Sequence, residues 1–165
     1  MGSSRPIVAD RFALGAVISF RNRVRTQEAV DLASGSHVLV KTLHHTVGHQ
    51  EAPDLALAWE YDVLSELCHP GIQTPIGIFP TGSGEWGLVL EGNEGFSSLQ
   101  DWLRERHDAA DLRSWAATLF GLLEYIHARG VVHCDVSDET VLIGSGFAGA
   151  APSVRLIDWG EAQLL

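Results

Sequence analysis

Cysteine is scarce in this chain of 165 residues, long hydrophobic runs are absent, and basic residues are few. Each shortage removes a class of protein. Cys68 and Cys134 are too few for a secreted disulfide scaffold and lack CxxC spacing, so a reducing, cytoplasmic setting is expected. No apolar stretch approaches the length of a membrane span, and residues 1–5 lack the apolar centre of a signal peptide. Pro6 stands where an N-myristoylation motif requires Ser or Thr. Lys and Arg number 11 against 21 Asp and Glu, a net charge of −10. Such a chain is not drawn to phosphate backbones or anionic headgroups, so neither nucleic acid nor membrane is an expected partner. Arg21, Arg23 and Arg25 lie close enough together to form a local basic patch.

What is present describes a globular domain: 45% hydrophobic and 19% charged residues, with enough chain for a real core. From Phe12 to Val40 apolar residues alternate loosely around the turn Ala33-Ser34-Gly35-Ser36, which predicts antiparallel strands with a hairpin. Leu55, Leu57, Ala58, Val63, Leu64 and Leu67 keep helical spacing, with Asp54 as the cap and Cys68-His69-Pro70-Gly71 as the stop. Ile72–Phe79 and Trp86–Leu90 predict two strands around Thr81-Gly82-Ser83-Gly84. Ser98–Arg106 predicts a short helix and Asp111–Arg129 a longer one closed by Gly130. Three apolar clusters follow, around Val131, Leu142 and Leu156, with a small-residue loop, Gly144–Ser153, between the last two. The order of elements predicts an α+β chain in two lobes. His44, His45 and His49 have only Glu51 nearby, the composition of a solvated loop rather than a metal site.

Several segments, taken in order, resemble the amino-terminal portion of a eukaryotic-type protein kinase domain. Val38-Leu39-Val40-Lys41 is similar to the V-A-I-K strand, and Glu60 follows on the next helix. His69-Pro70-Gly71-Ile72 is similar to the H-P-N-I turn. Ile126–Asp135, ending His133-Cys134-Asp135, is similar to the helix leading into H-R-D, and Ile157-Asp158-Trp159-Gly160 to D-F-G. The resemblance covers residues 10–165. It implies an antiparallel N-lobe sheet with one helix over 10–92, then over 93–165 the hinge, the first helices of a truncated helical C-lobe and the catalytic loop. It implies ATP and Mg2+ as cofactors. Lys41 would contact the α- and β-phosphates, Glu60 would hold Lys41, and Asp135 would orient the attacking hydroxyl. Asp158 and Thr140 would hold the metal. Leu39, Leu142 and the main chain of Glu91 and Asn93, beyond the gatekeeper Leu90, would meet the adenine. His133, Trp159 and Leu64 would be structural.

The departures from the family pattern bear on activity. The three glycines of the phosphate loop fall at Ser19, Arg21 and Val24, where side chains block the close approach of backbone amides. Leu39 replaces the small Ala over the adenine, an overpacking of about 1–3 kcal/mol that weakens ATP binding roughly ten- to hundred-fold. Cys134 replaces the Arg that reads a phosphorylated activation loop, Ser137 the Lys on the transferring phosphate, and Thr140 the metal-binding Asn. The expectation is therefore a signalling-type pseudokinase module with weak or no phosphotransfer, acting by binding or regulation. One alternative is an active Ser/Thr kinase, favoured by the retained Lys41, Glu60, Asp135 and Asp158. The other is a small-molecule phosphotransferase of the aminoglycoside or choline kinase type, which also carries H-x-D and I-D-W segments. The activation segment and most of the helical lobe would lie beyond Leu165. A protein partner or that remaining sequence would then cover the apolar face of the Asp111–Arg129 helix.

Overall fold

The computed structural model describes residues 6–21, 23–43, 55–81, 85–105, 107–144 and 153–165. Asp54, Gly82–Gly84, His44, His45, His49, Glu51 and most of the Gly144–Ser153 loop lie outside the described residues. The chain divides into two compact units, one of Met1–Ser65 with Thr74–Asn93, the other of Glu66–Gln73 with Glu94–Leu165.

The first unit is a six-stranded antiparallel sheet with one helix. Its strands are β1 (Ile7–Val8), β2 (Phe12–Arg21), β3 (Val24–Asp31), β4 (His37–Leu43), β5 (Pro75–Pro80) and β6 (Trp86–Glu91), in the order β1-β2-β3-β4-β6-β5. Arg21 pairs with Val24, so two residues join β2 to β3, and Arg23 accommodates the tight reversal with φ 67°. The β3–β4 turn is built on Asp31. Its carboxylate accepts from the Ala33 amide (3.0 Å), the Ser34 hydroxyl (2.9 Å) and both arms of the Arg11 guanidinium (2.8 and 2.7 Å). Gly35 completes the turn at φ 75°, where only glycine is unstrained.

Period-two alternation splits the sheet into two faces. Phe12, Ala29, Val38, Val40 and Val89 pack with Val8 into one core, joined by Phe79, whose ring lies 5.4 Å from that of Phe12. Leu39 and Lys41 alternate with Val38 and Val40 and so point to the other face. There α1 (Leu55–Ser65) packs, burying Leu57, Glu60, Val63 and Leu64 at helical spacing.

The second unit holds β7 (Phe96–Ser98), α2 (Leu99–Trp102), α3 (Ala109–His127), β8 (Val131–Val132), β9 (Val141–Gly144), β10 (Ser153–Leu156), a 3-10 turn (Trp159–Glu161) and β11 (Gln163–Leu164). One sheet runs β10-β9-β7 and a second pairs β11 with β8. Ile72 makes a parallel bridge to Leu156, so the strand expected from Ile72 begins only at Pro75, and Ile72 and Gln73 belong to the other unit.

Two helix boundaries also differ from expectation. α3 starts at Ala109 because Asp108 is its cap, accepting from the Ala110 and Asp111 amides at 2.7 and 2.8 Å, while Asp111 answers the Asp108 amide. α2 is one turn rather than a helix to residue 106. Ser98 caps it by accepting the Asp101 amide, but the His107 ring stacks on Trp102 (3.3 Å, 13°) and binds the Trp102 carbonyl. The same carbonyl also accepts the Glu105 amide (3.1 Å), and the Asp101 carbonyl accepts the Arg104 amide (3.1 Å), so α2 runs out into i+3 turns. No described helix is long and apolar enough to cross a membrane.

Candidate functional site

In the first unit, the sheet register and α1 bring Lys41 and Glu60 together. Lys41 Nζ lies 2.7 Å from Glu60 Oε1, with both side chains 6% exposed. A buried pair of this kind is held by geometry, since either charge alone would be strongly penalised at this depth. Around it, β6 places Leu88 opposite Lys41 and Leu90 opposite Leu39, all buried. The position expected to roof a base is therefore a packed leucine against the leucine at the gatekeeper position. Glu91 closes β6, and its amide donates to the Thr74 carbonyl (2.9 Å). Asn93, half-buried, ends this unit.

In the second unit, Asp135 and Asp158 sit on loops that His133 ties together. His133 is buried, and its Nε2 donates to the Ile157 carbonyl (2.9 Å) while Nδ1 accepts the Asp135 amide (3.3 Å). One tautomer satisfies both bonds, the neutral ring with its proton on Nε2. Trp159 is fully buried, stands edge-on to His133 at 4.5 Å and donates its Nε1 proton to the Leu156 carbonyl (3.2 Å). Cys134 and Asp158 both adopt left-handed backbone, φ 64° and 63°, a conformation that costs non-glycine residues free energy and clusters at functional loops. It leaves Asp135 exposed and Asp158 half-buried. Leu142, on β9, is buried. The Cys134 thiol is exposed and its Sγ faces the Val132 carbonyl at 3.6 Å.

Thr140 sits inside the loop that carries Asp135. It is completely buried, and its hydroxyl is engaged within the loop: it donates to the Asp135 carbonyl (2.6 Å) and accepts from the Ser137 amide (2.8 Å), with Ser137 Oγ at 3.1 Å. A hydroxyl has one proton and two lone pairs, and these contacts use them. Thr140 is thus a brace that fixes the turn presenting Asp135. The signal that finds the brace is Ser137-x-x-Thr140, a spacing at which short hydroxylated side chains bond neighbouring backbone. Among the described residues no group of three or more His, Cys, Asp or Glu is gathered as a metal cluster.

Comparison with known proteins identifies the family. The model of the protein kinase domain matches residues 24–165. Among curated proteins, the chain is 27% identical over 161 residues to cyclin-dependent kinase D-1 of Arabidopsis thaliana, covering 95% of this chain and 38% of that protein. It is 28% identical over 138 residues to serine/threonine-protein kinase dkf-2 of Caenorhabditis briggsae, covering 80% and 11% respectively. To the leucine-rich repeat receptor protein kinase MSP1 of Oryza sativa subsp. japonica it is 26% identical over 143 residues, covering 81% and 10%. The chain spans well under half the length of each of these relatives. The matched segment includes Lys41, Glu60, the Asp135 loop and Asp158, and this chain belongs to the protein kinase domain family.

Proposed function

We propose that this part of a kinase domain binds a nucleoside triphosphate weakly and transfers phosphate poorly or not at all, acting by binding or regulation. The observation that carries this reading is the contrast between its two half-sites. The phosphate-facing pair Lys41–Glu60 is closed at 2.7 Å, which fits a polyphosphate ligand. The hydroxyl at Thr140 is buried and engaged within its own loop, which does not fit a second metal ligand beside Asp158. Ser137, in place of the family's lysine, brings no charge to a transferring phosphate. ATP and Mg2+ are the proposed ligands, with Asp158 the carboxylate that would meet the metal.

The closed Lys41–Glu60 pair also favours the second reading, an active Ser/Thr kinase, because phosphoryl transfer requires that pair. One experiment separates them. Thermal stability is measured with ATP, with and without Mg2+, beside Lys41→Ala, and phosphate transfer is measured beside Asp135→Ala. A stabilisation lost in Lys41→Ala, with transfer no greater than in Asp135→Ala, is the expected result. Transfer abolished by Asp135→Ala would establish the active kinase instead.

A further inference from the structure

The three arginines of the hairpin stand at alternate positions in the sequence, as though on one face of a strand. The fold separates them. Because β2 turns back into β3 with Arg21 opposite Val24, the cross-strand pairs are Arg21–Val24, Phe20–Arg25 and Ser19–Thr26. Thr26 in turn stands opposite Lys41, and Val24 opposite Leu43. Paired residues share a face and neighbours alternate. Arg21, Ser19 and Thr26 therefore lie on the Lys41 face. Arg25 lies on the reverse face, where its Nε donates to Thr42 Oγ1 (3.2 Å) and its guanidinium meets Glu85 (3.5 Å). Arg23 is exposed within the turn.

We infer that Arg21 is a phosphate-binding residue for a nucleoside triphosphate, supplying by its guanidinium the donors that a glycine loop supplies by its amides. This rests on the nucleotide-binding reading above. Lys41 is neutralised by Glu60, so the pair by itself offers a polyphosphate no net positive charge. Among the described strand residues Glu28 also lies on this face, opposite Leu39 and at the far end from Arg21, which lies level with Leu43. The face thus carries Leu39 and Glu28 toward one end and the Arg21 guanidinium toward the other, the order in which a base and its phosphates would lie. Strand spacing sets Arg21 about 12 Å from Lys41, Cα to Cα, a gap that a guanidinium and a polyphosphate chain bridge together. Guanidinium also matches phosphate oxygens in bidentate geometry.

The test is calorimetric titration of the chain with ATP and with adenosine, comparing Arg21→Ala, Arg21→Lys and Arg23→Ala. The last removes the same charge from the adjacent turn. Arg21→Ala is expected to weaken ATP by about ten- to hundred-fold and leave adenosine unchanged, with partial recovery in Arg21→Lys. Arg23→Ala is expected to change ATP affinity by no more than about threefold, as an exposed charge does. Equal losses in Arg21→Ala and Arg23→Ala, no loss in Arg21→Ala, or an equal loss for adenosine would overturn the inference while leaving the nucleotide reading intact. An unmodified chain that binds neither ligand would overturn both.

Discussion

Replacing Thr140 by valine removes one hydroxyl and almost nothing else, and the structure sets what that should cost. Thr140 is fully buried, so the isosteric valine fills the same space. The Asp135 carbonyl loses a donor at 2.6 Å and the Ser137 amide loses an acceptor at 2.8 Å. The Ser137 hydroxyl, half-buried, can turn to water. Each orphaned backbone group costs about 1–3 kcal/mol, and with both groups only partly buried the total should be about 2–4 kcal/mol. For a chain of this size that lowers the melting temperature by roughly 4–16 °C. Thr140→Ser keeps the hydroxyl and should lose only about 1 kcal/mol for the buried methyl group. Urea denaturation without metal, and thermal melts with and without Mg2+ and ATP, measure both. If Thr140→Val were within about 0.5 kcal/mol of the unmodified chain without metal, yet lost a Mg2+-dependent response to ATP, the hydroxyl would be a metal ligand and the brace argument wrong.

Other outcomes follow from the same physics. Lys41→Met should destabilise the chain by about 3–5 kcal/mol by stranding the Glu60 carboxylate, and Lys41→Met with Glu60→Leu should recover most of that loss in urea denaturation, the signature of a coupled buried pair. Trp159→Ala should cost about 3–5 kcal/mol for a fully buried ring, whereas Trp159→Phe should cost about 1–2 kcal/mol, chiefly the bond to the Leu156 carbonyl. The Arg11 guanidinium, then the Ala33 amide and Ser34 hydroxyl, hold the Asp31 carboxyl well below the usual carboxylate range. Its folded state binds a proton less readily than its unfolded state, so its contribution is present at neutral pH and lost as pH falls through and below that range. Asp31→Asn should therefore flatten the acid limb of a stability-against-pH curve; an unchanged limb would remove Asp31 as its source.

The elements that sequence periodicity revealed are those long enough to have a period. The alternation of Val38 and Val40 against Leu39 and Lys41 marks a strand with two distinct faces, and Leu122 and Ile126 on α3 keep helical spacing into a core. The strands β1, β8 and β11 have two residues each, and two residues define no alternation. Their pairing comes from tertiary placement, as when Leu164 reaches Val131. Helix ends were set by side chains that periodicity ignores. Asp108 extends α3 backward, and α2 runs out into i+3 turns where the His107 ring packs on Trp102.

The candidate site divides in the same way between what identity fixes and what geometry fixes. Lys41 and Glu60 are recognisable from spacing and residue type, but that they meet at 2.7 Å depends on β4 turning Lys41 toward α1 rather than into the Phe12 core. Thr140 shows the reverse case. Its position in the sequence suggests a metal site by resemblance, while its burial and its bonds to Asp135 and Ser137, which only the fold reveals, brace the loop. The arginines show why register decides such questions. In sequence Arg21 and Arg25 stand four residues apart, the even spacing that on one strand means one face. A two-residue reversal between them sends Arg25 to Thr42 and Arg21 to the face of Lys41. On the nucleotide-binding reading proposed above, a phosphate donor from this hairpin has to lie on the face of Lys41, and Arg21 is the arginine of the three that the hairpin puts there.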